Sequence, residues 1–265
     1  MSVQVHLMFL GCVLLATLAQ NLTGFAFGLI LLGMVATLNI ISLADVAVVI
    51  SFLTVANALA TLGGPKPALD RSVLMPVLLS SLLGVSLGMW GLGALDEAQM
   101  AWLRLLLGCV IIIASLLLVV QSKPRERLSR QPAFWVSGAL CGLLNGLFSS
   151  GGPPLVYHLY RQPLAYEVIR NTLITVFAAN SATRLGLVIA QGQLHMQVIW
   201  LSLEALPLVL LVSVLMRRYP PRLSLRTVRW LVFALLVLAG ASLIVESLGQ
   251  VLAMAAKPTS LAHGA

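Results

Sequence analysis

Six stretches of this chain, at about 41–61, 73–93, 101–120, 170–190, 197–216 and 229–248, run for roughly twenty residues almost without charge. That is the length an α-helix needs to cross the ~30 Å hydrocarbon core of a bilayer. Charged residues make up 9% of the 265, where a soluble domain carries about 25%, so a water-exposed surface of ordinary composition cannot be covered. An all-α, polytopic transmembrane protein is the expected fold class. The net charge of +8 and pI near 10.1 do not call for nucleic acid. The basic residues lie between apolar runs, where positive-inside bias accounts for them. Cys12, Cys109 and Cys141 sit far apart inside apolar stretches and read as buried hydrophobes. The opening residues lack the basic region of a secretory signal peptide, so 5–19 belong to the expected membrane domain.

Two regions depart from the twenty-residue pattern. Arms at 5–19 and 24–38 are separated by Gln20-Asn21-Leu22-Thr23, and arms at 134–148 and 153–160 by Ser149-Ser150-Gly151-Gly152. The basic connections are 121–133 (Lys123, Arg125, Arg127, Arg130) and 217–229 (Arg217, Arg218, Arg222, Arg226, Arg229), with 62–72 (Lys66, Arg71) and 161–170 (Arg161, Arg170) weaker. The connection at 94–100 carries Asp96 and Glu97, and 191–196 has no fixed charge. All four basic connections fall on the cytoplasmic side only if 134–160 enters and leaves on one face. This predicts a re-entrant pair, with an ordinary hairpin turn at the membrane surface as the alternative, and both termini outside the cytoplasmic (inner) membrane.

Each half then holds a broken pair and three crossings, so the second half is expected to be inverted relative to the first. The division is 1–120 for the first repeat, 121–133 for a cytoplasmic basic linker, 134–249 for the second repeat and 250–265 for a flexible tail. An offset of 127 residues sets Gly11 on Gly138 and Thr23-Gly24 on Ser150-Gly151. Inverted repeats with interrupted helices place transporter sites near the midplane, and non-helical backbone at that depth must be shielded or line a wet cavity.

The break Asn145-Gly146-Leu147-Phe148-Ser149-Ser150-Gly151-Gly152-Pro153-Pro154 combines permissive glycines, a proline suited to a first helical turn, and serine donors. Exposed N–H groups at a helix start bind anions. A capped tight turn satisfies the same residues, and both readings are open. Its counterpart is Asn21, Thr23 and Gly24, with Phe25 and Phe27 as gate or packing residues. Four charges lie inside segments: Asp45, Arg184, Glu204 and Glu246. Intramembrane charge usually serves function. Glu246 can snorkel and Asp45 suits a helix start, leaving Arg184 and Glu204 deeper. Arg184 follows Asn180 by one turn, with Asn171 and Thr175 along much of the same side, and the offset sets it on Asn57. A guanidinium suits an oxyanion; snorkelling is the alternative. Glu204 is a candidate partner for Arg184 or a proton carrier. His158 is another proton candidate, or an interfacial histidine between tyrosines. Gly138, Gly142 and Gly146, with Gly84 and Gly88, read as close helix contact. No nucleotide loop, metal-ligand cluster or catalytic triad is legible, so no enzyme, cofactor or metal site is expected.

The run Gly142 to Leu155, followed by Arg170-Asn171-Thr172, resembles the TauE/SafE family of membrane permeases, also described as sulfite or sulfoacetate exporters. The length and two-half plan fit as well. The resemblance implies a secondary carrier of sulfite, sulfonates such as sulfoacetate, or related carboxylates. It puts Ser149, Ser150, Gly151, Gly152, Pro153 and Arg170 at the site. The first break departs from the family's glycine-rich, proline-followed pattern, which bears on sulfite in particular. An alternating-access anion carrier, coupled or not to protons or sodium, is the leading expectation. An integral-membrane binding or accessory subunit is the alternative. The glycine faces serve packing within one protomer or a homo-oligomer contact.

Overall fold

A computed structural model describes residues 3–38, 42–64, 67–92, 125–149 and 152–219, with scattered positions between 99 and 116 and between 227 and 249. The helices are α1 (Val3–Thr23), α2 (Phe27–Leu38), α3 (Leu43–Leu62), α4 (Arg71–Leu92), α5 (Gln131–Phe148), α6 (Gly152–Tyr160), α7 (Tyr166–Ala190) and α8 (Met196–Arg218). The scattered positions are helical too, and no strand occurs among the described residues. By length and composition α1, α3, α4, α7 and α8 can each cross a membrane. The expected crossings at 101–120 and 229–248 lie largely outside the described residues. So do Ser150, Gly151, residues 121–124, the tail 250–265, Lys66, Asp96, Glu97, Arg222, Arg226, Arg229 and Glu246.

The first broken pair differs from expectation in length and in where it breaks. Helix α1 has 21 residues, about 31 Å, and Gln20-Asn21-Leu22-Thr23 stay helical. Their polar groups turn back on the preceding turn: Thr23 Oγ1 donates to Ala19 O (2.7 Å) and Asn21 Nδ2 to Thr17 O (2.9 Å). The helix stops instead at Gly24, whose φ is +81°, and Ala26 at φ 79° completes the bend. In the second pair Ser149 caps α5 in the left-handed region, φ 56°, with its N–H on Asn145 O.

Helix directions follow from contacts at the two ends of the bundle. Gln131 Nε2 donates to Ser72 O, Asn171 Nδ2 to Ala68 O, Arg125 N to Arg161 O, and Arg217 Nη1 to Ala60 O. These bonds gather the described parts of all four basic connections at one end, the basic end. At the other end Asp45, in the first turn of α3, lies 3.5 Å from His195, which precedes α8. Thus α1, α3 and α8 run toward the basic end, while α4, α5 and α7 run away from it. Helix α5 leaves the basic end and α6 returns to it. Helix α2 rises from the end of α1 toward Ser42, which caps α3 through the Asp45 N–H (3.1 Å).

Among the described residues, two apolar clusters hold the bundle. One joins Phe25, Val77, Phe134, Leu155, Leu159 and Leu173; the other joins Phe9, Val13, Leu31, Val49, Leu53 and Val209. Helices α4 and α5 pack with their backbones in direct contact. Gly138 faces Val77 and Ser80, Gly142 faces Ser81, and Gly146 faces Val85 and Gly88. A Cβ on Gly146 would sit 2.5 Å from the Val85 carbonyl oxygen, so only glycine lets these backbones approach.

Candidate functional site

The two broken pairs meet within the bundle and line a half-open cavity. Its polar wall is Gln20, Thr54, Asn145, Ser149 and Ser181. Its apolar wall is Phe25, Phe27, Leu29, Ile50 and Phe177, and the backbone of Ala26, Gly28 and Gly152 completes it. The volume open to the centre of a water-sized sphere is about 30 Å³, two to three times what one water needs, at ~10–15 Å³. The breaks touch each other there. A Cβ on Gly28 would lie 2.9 Å from Ser149 O, and one on Gly152 would lie 3.2 Å from the Phe25 ring.

The cavity presents both donors and acceptors. Helix α2 begins here with Ile30 N on Ala26 O, so the N–H groups of Phe27, Gly28 and Leu29 have no carbonyl within the helix. Such a helix start attracts anions. Gln20 is 1% exposed and Ser149 is 6% exposed, yet among the described residues neither Gln20 Oε1, an acceptor, nor Ser149 Oγ has a hydrogen-bond partner. An unpartnered buried polar atom is costly, and these two lie on the cavity wall. Asn180, fully buried one residue before Ser181, is unpartnered at both amide atoms. Helix α6 contributes fewer donors, because Pro153 and Pro154 in its first turn carry no N–H.

Two arginines of α7, Arg184 buried and Arg170 half-buried, each hold the C-terminal end of a broken helix. Arg184 Nη1 donates to Asn145 O (3.2 Å) and Gly146 O (2.9 Å) at the end of α5. Arg170 Nε donates to Asn21 O (2.5 Å) at the end of α1. A cation there bonds carbonyls of the last helical turn and offsets the negative helix terminus. The Tyr160 hydroxyl adds a bond to Thr23 O (2.8 Å).

Of the residues singled out in the sequence, Asn145, Ser149 and Gly152 line the cavity, and Pro153 is buried in the first turn of α6. Arg184 stands behind the wall. Asn21 and Asn57 lie toward the basic end, bonded to each other (3.0 Å) and joined by Thr61 and Ser213 into a buried polar cluster. Thr23 caps α1 and Gly24 packs on the Arg170 backbone. Asn171 lies apart, on Ala68 O. Glu204 does not meet Arg184: it pairs with His6 Nδ1 at 2.7 Å. Sequence reasoning passed over Gln20, Thr54, Ile50, Phe177 and Ser181. The 127-residue offset carried a signal for four of them, since it pairs Thr54 with Ser181 and Ile50 with Phe177, and Phe25 with Gly152 besides.

Residues 9–243 match the family described as Sulfite exporter TauE/SafE. A protein of Cupriavidus necator named "Probable sulfite/organosulfonate exporter TauE" is 35% identical over 232 residues, which is 88% of this chain and 91% of the relative. No solved structure matches. With a match over nearly its whole length and a relative this similar, the chain belongs to the TauE/SafE sulfite exporter family.

Proposed function

We propose that this protein is a secondary carrier of small sulfur oxyanions and sulfonates, working by alternating access. The observation that carries the proposal is the cavity between the two breaks, where the start of α2 meets the buried, unpartnered Ser149 hydroxyl. A relative's name, "Probable sulfite/organosulfonate exporter TauE", supports the substrate class. The contacting groups are Gln20, Thr54, Asn145, Ser149, Gly152 and Ser181 with the α2 N–H groups. Arg184 and Asn180 back this wall; Ser150 and Gly151, expected at the site from sequence, fall outside the described residues.

The moving parts are the two inverted repeats, 1–120 and 134–249, joined by the basic linker 121–133 and followed by the tail 250–265. The opposite senses of α1/α2 and α5/α6, and lining pairs 127 residues apart, support this division. Positive-inside bias puts the basic end in the cytoplasm and the termini outside. On that side the route is closed by Asn21, Asn57, Thr61 and Ser213, and by Arg170 and Tyr160 on the end of α1. Cytoplasmic opening therefore parts these bonds. A membrane potential negative inside drives anion export without a coupling ion; uptake requires a proton or sodium gradient.

The test is flux of radiolabelled sulfite, sulfoacetate and a carboxylate panel through proteoliposomes with an imposed potential, run with Gly28→Val alongside. Saturable flux that Gly28→Val abolishes in folded protein is the expected result. Folded protein with no flux above empty liposomes refutes the carrier and leaves a binding or accessory subunit.

A further inference from the structure

The two broken pairs reach the cavity in similar ways but present different chemistry to it. In each, the second arm carries a glycine in its first turn, Gly28 in α2 and Gly152 in α6. A side chain from the following long helix closes over each. A Cβ on Gly28 would lie 3.4 Å from Ile50 Cγ2 on α3, and one on Gly152 would lie 3.5 Å from Phe177 Cζ on α7. The remaining neighbours differ. Phe27, Gly28 and Leu29, whose N–H groups have no carbonyl within α2, line the cavity with Ser149. Ser149 is 6% exposed, and among the described residues its hydroxyl has no partner. Its carbonyl lies 2.9 Å from the same Gly28 Cβ position, so this polar group and the start of α2 are immediate neighbours. Gly152 instead faces two rings, because Phe25 also comes within 3.2 Å of its Cβ position. Pro153 and Pro154 remove the next two N–H groups of α6. One side of the cavity thus offers hydrogen bonds and the other offers aromatic surface.

We infer that an organic sulfonate lies across this cavity in one orientation, its head at the start of α2 beside Ser149 and its substituent against Phe25, Gly152 and Phe177. Phe177 then sets how long a substituent is accepted. This rests on the reading of the cavity as the anion site. A sulfonate is polar at one end and apolar at the other, so each end meets surface of its own kind. The reversed pose would set the head on rings and prolines and leave the α2 N–H groups unmatched. Each methylene that the rings take from water tightens binding about fourfold. A methylene beyond the space available costs about tenfold or more instead.

The full chain in proteoliposomes is assayed with radiolabelled methane-, ethane-, propane- and butanesulfonate, and the readout is the ratio of kcat/KM for butanesulfonate to that for methanesulfonate. A ratio within one variant is unaffected by how much folded protein that variant yields. Phe177→Ala is expected to raise the ratio at least about tenfold, and Phe177→Leu to raise it by less. Gly152→Ala sets a methyl against both rings, narrows this side and lowers the ratio. Ile50→Ala, on the polar side, moves it by less than about threefold. If Phe177→Ala does not fold, Phe177→Leu and Gly152→Ala carry the test. A ratio that the Phe177 variants leave unmoved, that Gly152→Ala raises, or that Ile50→Ala raises as far as Phe177→Ala does, overturns the inference. Folded unmodified protein that moves neither sulfite nor any of the four sulfonates removes the anion site itself, a different failure from flux with an unmoved ratio.

Discussion

Replacing Gly142 by alanine sets two physical effects against each other, and the structure decides the sign. In an exposed helix interior, Gly→Ala stabilises by about 1 kcal/mol through backbone entropy. At Gly142 the added Cβ would fall inside the van der Waals envelope of the Ser81 carbonyl, with the Ser81 Cα 2.7 Å away. Both are backbone atoms of α4, so no rotamer change relieves the clash, and the two helices must separate. A gap of 0.5–1 Å forfeits a quarter to a half of each atomic contact, and overpacking costs about 1–3 kcal/mol. With a rigid neighbour the upper end applies, so the net loss is about 2 kcal/mol or more after the ~1 kcal/mol propensity gain. In detergent this lowers the unfolding midpoint by about 4–8 °C. Gly11 in α1 and Gly186 in α7 are the controls, since nothing lies within 4 Å of a Cβ at either. Alanine there should be neutral or stabilise by up to ~1 kcal/mol. A Gly142→Ala protein as stable as Gly11→Ala would refute the glycine-mediated α4–α5 contact.

Arg184→Gln removes two charge-assisted bonds to the end of α5 and the unit charge behind the cavity. Its KM for a sulfonate should rise at least about tenfold, with Arg184→Lys falling between it and the unmodified protein, as read in proteoliposome flux. Gly24→Ala places a Cβ 2.9 Å from the Arg170 carbonyl at φ +81°, so unfolding should show a loss of about 2–3 kcal/mol from left-handed strain and contact together. Glu204→Gln breaks only a partly exposed pair with His6. It should change stability by less than ~1 kcal/mol and leave KM unaltered; a collapse of flux would make Glu204 part of the transport cycle after all.

The long crossings were legible because a bilayer leaves so few alternatives: 41–61, 73–93, 170–190 and 197–216 became Leu43–Leu62, Arg71–Leu92, Tyr166–Ala190 and Met196–Arg218. The first break was misplaced for a definite reason. Gln20 to Thr23 look like an interruption by polarity, but Asn21 and Thr23 bond to carbonyls one turn back, and the bend waits for Gly24. The second break was easier, since glycine and proline act locally on the chain. Asn145, Ser149 and Gly152 emerged from it, whereas Thr54 and Ser181 did not. A small hydroxyl in an apolar helix usually bonds to its own backbone, as Ser51, Ser80 and Ser213 do here. Only packing distinguishes one that faces a cavity. The roles of Arg170 and Arg184 were illegible for the same reason: the carbonyls they hold are 149 and about 38 residues distant in sequence.

Arg170 and Arg184 are fourteen positions apart on one uninterrupted helix, about 21 Å along its axis. Helix α7 therefore works as a rigid connecting rod with a grip on each broken pair. A slide or roll of this rod disturbs both grips at once, because a packed α-helix does not stretch between them. On the carrier reading proposed above, the two breaks would then share one mechanical degree of freedom, and the two gates would stay in step without any signal passing through the bound ion.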